Sequence, residues 1–320
     1  MRPRVRRRGG PVKSMLLVVL SLLGTAGVFA QGAVSTFKGA VDLVALNVVV
    51  MDRQQRFVSG LTAQNFTVYE DGIQQDLSYF AAGEVPLDLA ILLDTSASMM
   101  YRLTTAQQAA TGLASALRPI DRLLVMDIKG SANMIAPLSS DLESAKQAIR
   151  STYARGTTAL YNGVYLTLKE LTKQRKGAND VRRQAIVVLS DGDDTSSLVS
   201  FDDVMDLAKQ SGISTYTIML KAKNVLPAYG SLREGHAEQS EFAMKALAQE
   251  TGGRSFFPRE VTELAGIYGT IEQELASQYA LGYTSKNGRR DGAYRRVVVR
   301  VVDREGVQPR TRAGYVAPRG

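Results

Sequence analysis

The sequence contains no cysteine, no tryptophan and a single histidine, His236, in 320 residues. Without cysteine the chain cannot form a disulfide, use a thiol nucleophile or hold a cysteine-ligated zinc or iron–sulfur centre. A catalytic triad that needs histidine would have to use His236, which lies in the polar stretch "SLREGHAEQS" that we interpret as a surface loop. Carboxylates are therefore the only candidates for acid–base work, and we expect a protein that is not an enzyme.

Basic residues exceed acidic ones by eight, but the excess is concentrated at the N-terminus. Residues 1–30 hold six basic residues and no acidic one, so the rest of the chain has a net charge of only +2. A basic surface spread over the protein, as nucleic-acid binding requires, is therefore not expected.

Residues 1–30 have the pattern of an export signal. The basic "RPRVRRRGGPVK" precedes the apolar "SMLLVVLSLLGTAGVF", and small side chains, Val28 and Ala30, stand at the −3 and −1 positions of a cleavage site. The alternative is an uncleaved membrane anchor, although the apolar stretch is short compared with the roughly 20 residues that span a bilayer. We expect an exported bacterial protein, periplasmic or secreted.

The remaining chain divides into three segments of different pattern. Residues 35–84 contain short strands with a hairpin signal at Asp71-Gly72, after which "DLSYFA" is the expected returning strand. Residues 85–278 alternate apolar strands with helices, which predicts a doubly wound, mostly parallel α/β domain. Residues 279–318 return to strands, and because neither flank is large enough to hold a core alone, we expect both to pair into a small β-sandwich-like domain.

Polar side chains follow two apolar strands of the predicted α/β domain and precede one of its helices. Asp94, Ser96 and Ser98 follow "LDLAILL", Asp191 follows "QAIVVLS", and the loop 156–158 opens a helix. Ligands of open α/β sheets bind outside the carboxyl ends of the strands, so these segments should meet there. Their donors are all oxygen atoms, which suit a hard cation such as Mg²⁺. With few carboxylates, the ion would keep positive charge and an open position for a carboxylate from another molecule.

Other interpretations of these residues fit the sequence less well. Asp94 and its neighbouring serines could serve only as helix caps. A calcium loop starting at Asp191 would need glycine and glutamate where Ser196 and Asp202 stand. No Walker or G-x-G-x-x-G pattern supports nucleotide binding, and neither serine lies in the G-x-S-x-G turn of a hydrolase.

The three segments resemble the metal-ion-dependent adhesion site of the von Willebrand factor A domain family. That pattern has D-x-S-x-S after the first strand, a threonine in a G-G-T-type loop, and an aspartate opening a D-G turn; here they are "DTSASM", "RGTTALYNG" and "VVLSDGDD". The resemblance implies Ser96, Ser98 and Thr158 as hydroxyl ligands, with Asp94 and Asp191 acting directly or through water. It implies Mg²⁺ as the first expectation, with Mn²⁺ or Ca²⁺ as alternatives.

Two positions depart from the family pattern. Ala97 stands where glycine is usual, a small change that should not prevent metal binding. Thr157 replaces the second glycine of the loop, so either threonine could be the ligand, and we favour Thr158 because it directly precedes "ALY". The flanks "VSGLTAQNFTVYEDG", "YALGYTS" and "DGAYRRVVVRV" resemble a bacterial group of A-domain proteins described largely from acidobacteria.

Together these features predict metal-dependent protein–protein interaction or adhesion. The expected partner is a protein that presents Asp or Glu to the ion, with no role for nucleotides or nucleic acid, and with membrane contact only through an uncleaved signal segment. The alternative is a structural or assembly module whose β flanks make the contact while the metal only stabilises the fold.

Overall fold

The computed structural model describes residues 43–83, 85–176, 181–191, 194–220 and 230–319. The predicted export signal lies outside the described residues, as does the start of the N-terminal β segment. In the described part of the chain, no helix is both long and apolar enough to cross a membrane.

The described residues form strands and helices in the alternating order that the sequence predicts for residues 85–278, with strands on either side. The strands are β1 (Leu43–Asp52), β2 (Phe66–Glu70), β3 (Ile73–Gln75), β4 (Leu77–Ala82), β5 (Leu87–Asp94), β6 (Arg122–Ile128), β7 (Ala132–Ser139), β8 (Arg183–Ser190), β9 (Ser214–Met219), β10 (Ser255–Phe256), β11 (Tyr279–Thr284), β12 (Tyr294–Val301), β13 (Val307–Arg310) and β14 (Gly314–Val316). The helices are α1 (Leu103–Ala116), α2 (Leu142–Arg150), α3 (Leu160–Lys176), α4 (Phe201–Ser211), α5 (Gly230–Thr251) and α6 (Leu264–Ala276).

A six-stranded sheet in the order β10-β9-β8-β5-β6-β7 forms the centre of the α/β domain. Its strands are parallel except β7, which runs antiparallel to β6. Both faces are covered: Leu89, Ile91 and Leu93 of β5 pack in a core with α1, α2 and α6, whereas Ala90 and Leu92 pack with α3, α4 and α5. Burial on both faces explains why β5 and β8 are continuous apolar runs, and the predicted α/β fold class is confirmed.

The two flanks of the chain form two four-stranded antiparallel sheets, in the orders β13-β1-β11-β4 and β14-β12-β2-β3. Each sheet contains strands from both flanks, since β1 pairs with β11 and β13, and β12 pairs with β2. Alternate side chains of these strands, including Val48, Val68, Leu281 and Val299, share one apolar core. The β-sandwich-like arrangement expected for the flanks is therefore present.

Three local expectations were wrong. The strand that returns after Asp71-Gly72 is the short β3, and "LSYFAA" instead forms β4, which crosses to the other sheet and pairs with β11. The edge strand β7 was missed because it is only partly buried and contains Pro137. The stretch around His236 is helical because α5 begins at Gly230, several polar turns before the apolar residues that pack on the sheet.

Candidate metal centre

The ends of β5 and β8 bring Asp94 and Ser190 side by side. The two strands are parallel neighbours, with Leu93 paired to Leu189, so their last residues lie next to each other at the carboxyl edge of the sheet. The Ser190 hydroxyl donates a hydrogen bond of 2.5 Å to Oδ2 of Asp94. Asp94 is completely buried, so this carboxylate sits at the floor of the candidate site.

The turn after β5 directs two serine hydroxyls to the same point. The backbone N–H of Ser96 donates to Oδ1 of Asp94 over 2.9 Å, and a 3₁₀ turn at Ala97–Met99 follows. This turn brings Oγ of Ser98 to 2.9 Å from Oγ of Ser96. Ser96 is buried and Ser98 is exposed, so the hydroxyl pair leads from the buried carboxylate to solvent.

The loop before α3 is attached to this turn through its backbone. Ala97 N–H donates to the carbonyl of Gly156 over 3.0 Å, and Arg155 N–H donates to the carbonyl of Thr95 over 2.8 Å. Gly156 has a φ of +76°, a left-handed conformation that glycine adopts without steric cost. The loop before α3 is therefore in direct contact with the Asp94–Ser98 turn, as predicted.

The two candidate threonines of this loop differ in their surroundings. Thr158 is buried and its backbone is bound by the loop after β8, since its N–H donates to Oγ1 of Thr195 and its carbonyl accepts from the N–H groups of Thr195 and Ser196. Thr157 is exposed, and its hydroxyl donates to Oγ of Ser196 over 3.1 Å. Among the described residues the hydroxyl of Thr158 has no hydrogen-bond partner, which leaves it available to a ligand.

Asp191 completes the set of predicted ligands. Asp191 directly follows β8 and is only 8% exposed, yet its Oδ1 is buried without a hydrogen bond from any described residue. Burial, together with the negative charge of nearby Asp191, raises the pKa of Asp94 to about 6. Two buried carboxylates close to each other, with no cation between them, are unfavourable unless something positive compensates.

The residues present fit a divalent cation. Among the described residues no three carboxylates or imidazoles cluster to hold a metal, so a site here would use two carboxylates together with neutral hydroxyls. Such a set is all oxygen, as Mg²⁺ requires, and it carries at most two negative charges. An orphaned buried carboxylate oxygen is the group that a cation would satisfy.

Two residues that support this edge of the sheet, Asp127 and Ser190, were not predicted. Asp127, near the end of β6, accepts a short hydrogen bond from the Thr95 hydroxyl and forms a 2.6 Å ion pair with Lys129. Lys129 balances the negative charge of Asp127, so this carboxylate does not need a metal ion, unlike Asp94 and Asp191. Its hydrogen bond with Thr95 holds the turn after β5 in place. Its signal was visible as the acid near the end of the apolar strand "RLLVMDI", as was Ser190 directly before Asp191.

The family model for the von Willebrand factor type A domain matches residues 88–270, more than half of the chain. This chain belongs to that family. The match contains β8, all of β5 except Leu87, and every predicted ligand from Asp94 to Asp191, so the resemblance to this family is confirmed.

Individual relatives and solved structures have low sequence identity to this chain. A UPF0353 protein of Mycobacterium avium is 25% identical over 218 residues, which is 63% of this chain and 65%, less than two thirds, of the relative. The von Willebrand factor type A structure from Catenulispora acidiphila is 13% identical, with a TM-score of 0.47 over 79% of this chain and 74% of that one. The mussel byssus proximal thread matrix protein 1 with a zinc-occupied MIDAS motif is 15% identical, with a TM-score of 0.48 over 61% of this chain and 49% of that one.

Proposed function

We propose that this chain is an exported, non-enzymatic interaction protein that binds a divalent cation, Mg²⁺ first, at the carboxyl edge of its A domain. The hydroxyls of Ser96, Ser98 and Thr158 would hold the ion, with Asp94 and Asp191 acting directly or through water. The ion supplies a positive centre with an open position, and an Asp or Glu of a partner protein completes its coordination.

The observation that carries the proposal is a buried oxygen of Asp191 that has no hydrogen-bond partner among the described residues and lies near the buried carboxylate of Asp94. A fold that only needed to cap α1 would gain nothing from a second buried carboxylate near the first. A cation between them removes the repulsion and satisfies the orphaned oxygen at once. Membership of the von Willebrand factor A family supports an interaction role.

Exposed apolar side chains on the segments around the site support a protein as the partner. Tyr101 and Leu198 are each 95% exposed, and Met100 and Tyr153 are more than half exposed. Single exposed apolar residues are common, but several on the turns that form one site are typical of an interaction surface. The exposed Arg155, whose guanidinium lies 5.3 Å from the ring centroid of Tyr153, adds positive charge that suits an acidic partner.

The choice between the two threonines gives a first prediction. Thr158→Val should weaken Mg²⁺ binding about 10-fold or more, because it removes one uncharged ligand while keeping the shape of the side chain. Thr157→Val should leave Mg²⁺ affinity within about twofold, since that hydroxyl bonds to Ser196 instead. Isothermal titration of both variants with MgCl₂ measures this. The reverse ranking would assign the ligand to Thr157.

Partner binding gives a second prediction. Proteins captured on the immobilised full chain in Mg²⁺, and identified by mass spectrometry, should include some that are lost both with EDTA and with the Tyr101→Ala variant. Val298→Ala, an exposed position on β12, is the matched control and should retain them. Partners retained through EDTA would favour the alternative in which the β flanks make the contact and the metal only stabilises the fold.

A further inference from the structure

A cleft of about 810 Å³ lies far from the candidate metal centre. It is lined by β1, by the start of β8, by the end of α4 and by the segments after β11 and around β14. The metal centre is at the opposite end of β8, and the eight residues of that strand separate the two by roughly 23 Å. A ligand in the cleft would therefore not touch the metal centre.

The lining of this cleft is strongly basic. Among the described residues that line it there is no aspartate or glutamate, but there are six arginines. They are Arg175, Arg182, Arg183, Arg289, Arg290 and Arg312. The chain outside residues 1–30 is nearly neutral, so this concentration of charge is a local feature of the fold.

Two of the six arginines have structural partners that account for them. Arg182 pairs with Asp88, with Nε 2.7 Å from Oδ1. Arg183 is buried and donates to the backbone carbonyls of Val85 and Leu275. These two arginines join the start of β8 to neighbouring segments, and their presence in the cleft wall needs no ligand.

Arg175 and Arg312 are different, because neither has a carboxylate partner among the described residues. Nη1 of Arg175 donates to the carbonyl of Ser211 over 2.8 Å. Nη1 of Arg312 lies close to the next residue, Gly212: a Cβ added to this glycine would be 2.5 Å from that nitrogen. The two guanidinium groups thus converge on two consecutive residues at the end of α4. Burial, together with the positive charge of Arg175, lowers the pKa of Arg312 to about 10.

The contacts that these two side chains make leave charge and donors unused. Arg312 donates through Nη2 to the carbonyl of Ala45, but its buried Nε–H donates no hydrogen bond to any described residue. The dipole of α4 places about half a negative charge at its carboxyl end. This is too little to balance the two positive charges of Arg175 and Arg312. Glu70, a buried carboxylate at the same end of the sandwich, is bound by the hydroxyls of Tyr283, Ser285 and Tyr315 instead.

We propose that this cleft binds a small ligand carrying a carboxylate or phosphate group, with its oxygens held by the guanidinium groups of Arg175 and Arg312. Planar guanidinium groups bind both oxyanions with paired, charge-assisted hydrogen bonds. Arg175 remains exposed to solvent, so a ligand can reach the pair.

Calorimetric titration tests this with the full chain in metal-free buffer that contains no chelator, which separates the result from anything at the metal centre. Sodium phosphate is one probe and sodium citrate the other, so the two arms distinguish phosphate from carboxylate. At least one should bind with one site per chain, and Arg175→Gln should weaken that binding about 10-fold or more. Arg300→Gln is the matched control, since Arg300 is exposed on β12 over the ring of Tyr69 and carries the same charge.

Arg312→Lys provides a second variant that keeps the positive charge and removes the planar fork. It should also weaken binding, while the far-ultraviolet circular dichroism stays that of the unaltered protein. Absence of heat with both anions would overturn the proposal. Equal weakening by Arg175→Gln and Arg300→Gln would overturn it as well, because the binding would then reflect net charge and not the cleft.

Discussion

Replacing Asp191 by asparagine is expected to abolish stabilisation by Mg²⁺ and, at the same time, to make the metal-free protein more stable. Asp191 contributes to the raised pKa of Asp94 through its negative charge, and removing that charge should add about 1 kcal/mol to the free energy of unfolding in EDTA at pH 7. In the unaltered protein, Mg²⁺ at 100 times its dissociation constant should add about 2.7 kcal/mol. Urea unfolding of both proteins, with EDTA and with Mg²⁺, measures all four values.

The opposite signs of these two effects make the test specific. Asp206→Asn is the matched control, because Asp206 is exposed on α4 and its loss should change neither the metal-free stability nor the response to Mg²⁺ by more than about 0.5 kcal/mol. A metal-free Asp191→Asn protein that is less stable than the unaltered one would indicate that Asp191 has a structural role. A variant that still responds fully to Mg²⁺ would place the ion elsewhere.

The second large effect concerns stability without any loss of metal binding. Asp88, at the start of β5, is buried and pairs with two arginines, Arg122 at 2.7 Å and Arg182 at 2.7 Å. Asp88→Asn removes the carboxylate charge that both arginines share, and removing one member of a buried ion pair costs about 3–5 kcal/mol. Urea unfolding should show a loss of that size, whereas the additional stability given by Mg²⁺ should remain unchanged.

An exposed pair of the same kind is the control for this prediction. Asp52 accepts hydrogen bonds from Arg56 at the surface, and Arg56 is largely exposed. Asp52→Asn should therefore cost less than about 1 kcal/mol. If Asp88→Asn cost no more than Asp52→Asn, the three-residue cluster at the start of the sheet would contribute little to the stability of the fold.

Much of this architecture could be predicted from the sequence because its signals are local. The apolar runs of β5 and β8, the polar residues directly after them and the alternation of β12 each arise from the position of one strand in one sheet. The separation of Ser96 and Ser98 by one residue is likewise local, since one 3₁₀ turn brings their hydroxyls together. These features indicated the fold class and predicted which segments would meet at the carboxyl edge of the sheet.

Other features depend on contacts between residues that lie far apart along the chain. The hydrogen bond from Thr95 to Asp127 depends on how β6 lies beside β5, so the supporting role of the acid near the end of β6 could not be predicted from the sequence. Because β7 is only partly buried, its sequence does not show the regular alternation of apolar and polar residues that would predict a strand. The convergence of Arg175 with Arg312 joins positions 137 residues apart along the chain, and only the folded chain brings them together.

The most direct test of the metal centre is a crystal structure of the protein grown with MnCl₂, with anomalous scattering recorded to locate the ion. Manganese takes the oxygen ligands that magnesium takes and gives an anomalous signal that magnesium does not. The account predicts one peak roughly 2.0–2.3 Å from the hydroxyl oxygens of Ser96 and Ser98, on the side where Thr158 and Asp191 lie. A fully ordered Asp94–Ser98 turn with no peak beside it, or a peak elsewhere in the domain alone, would contradict it.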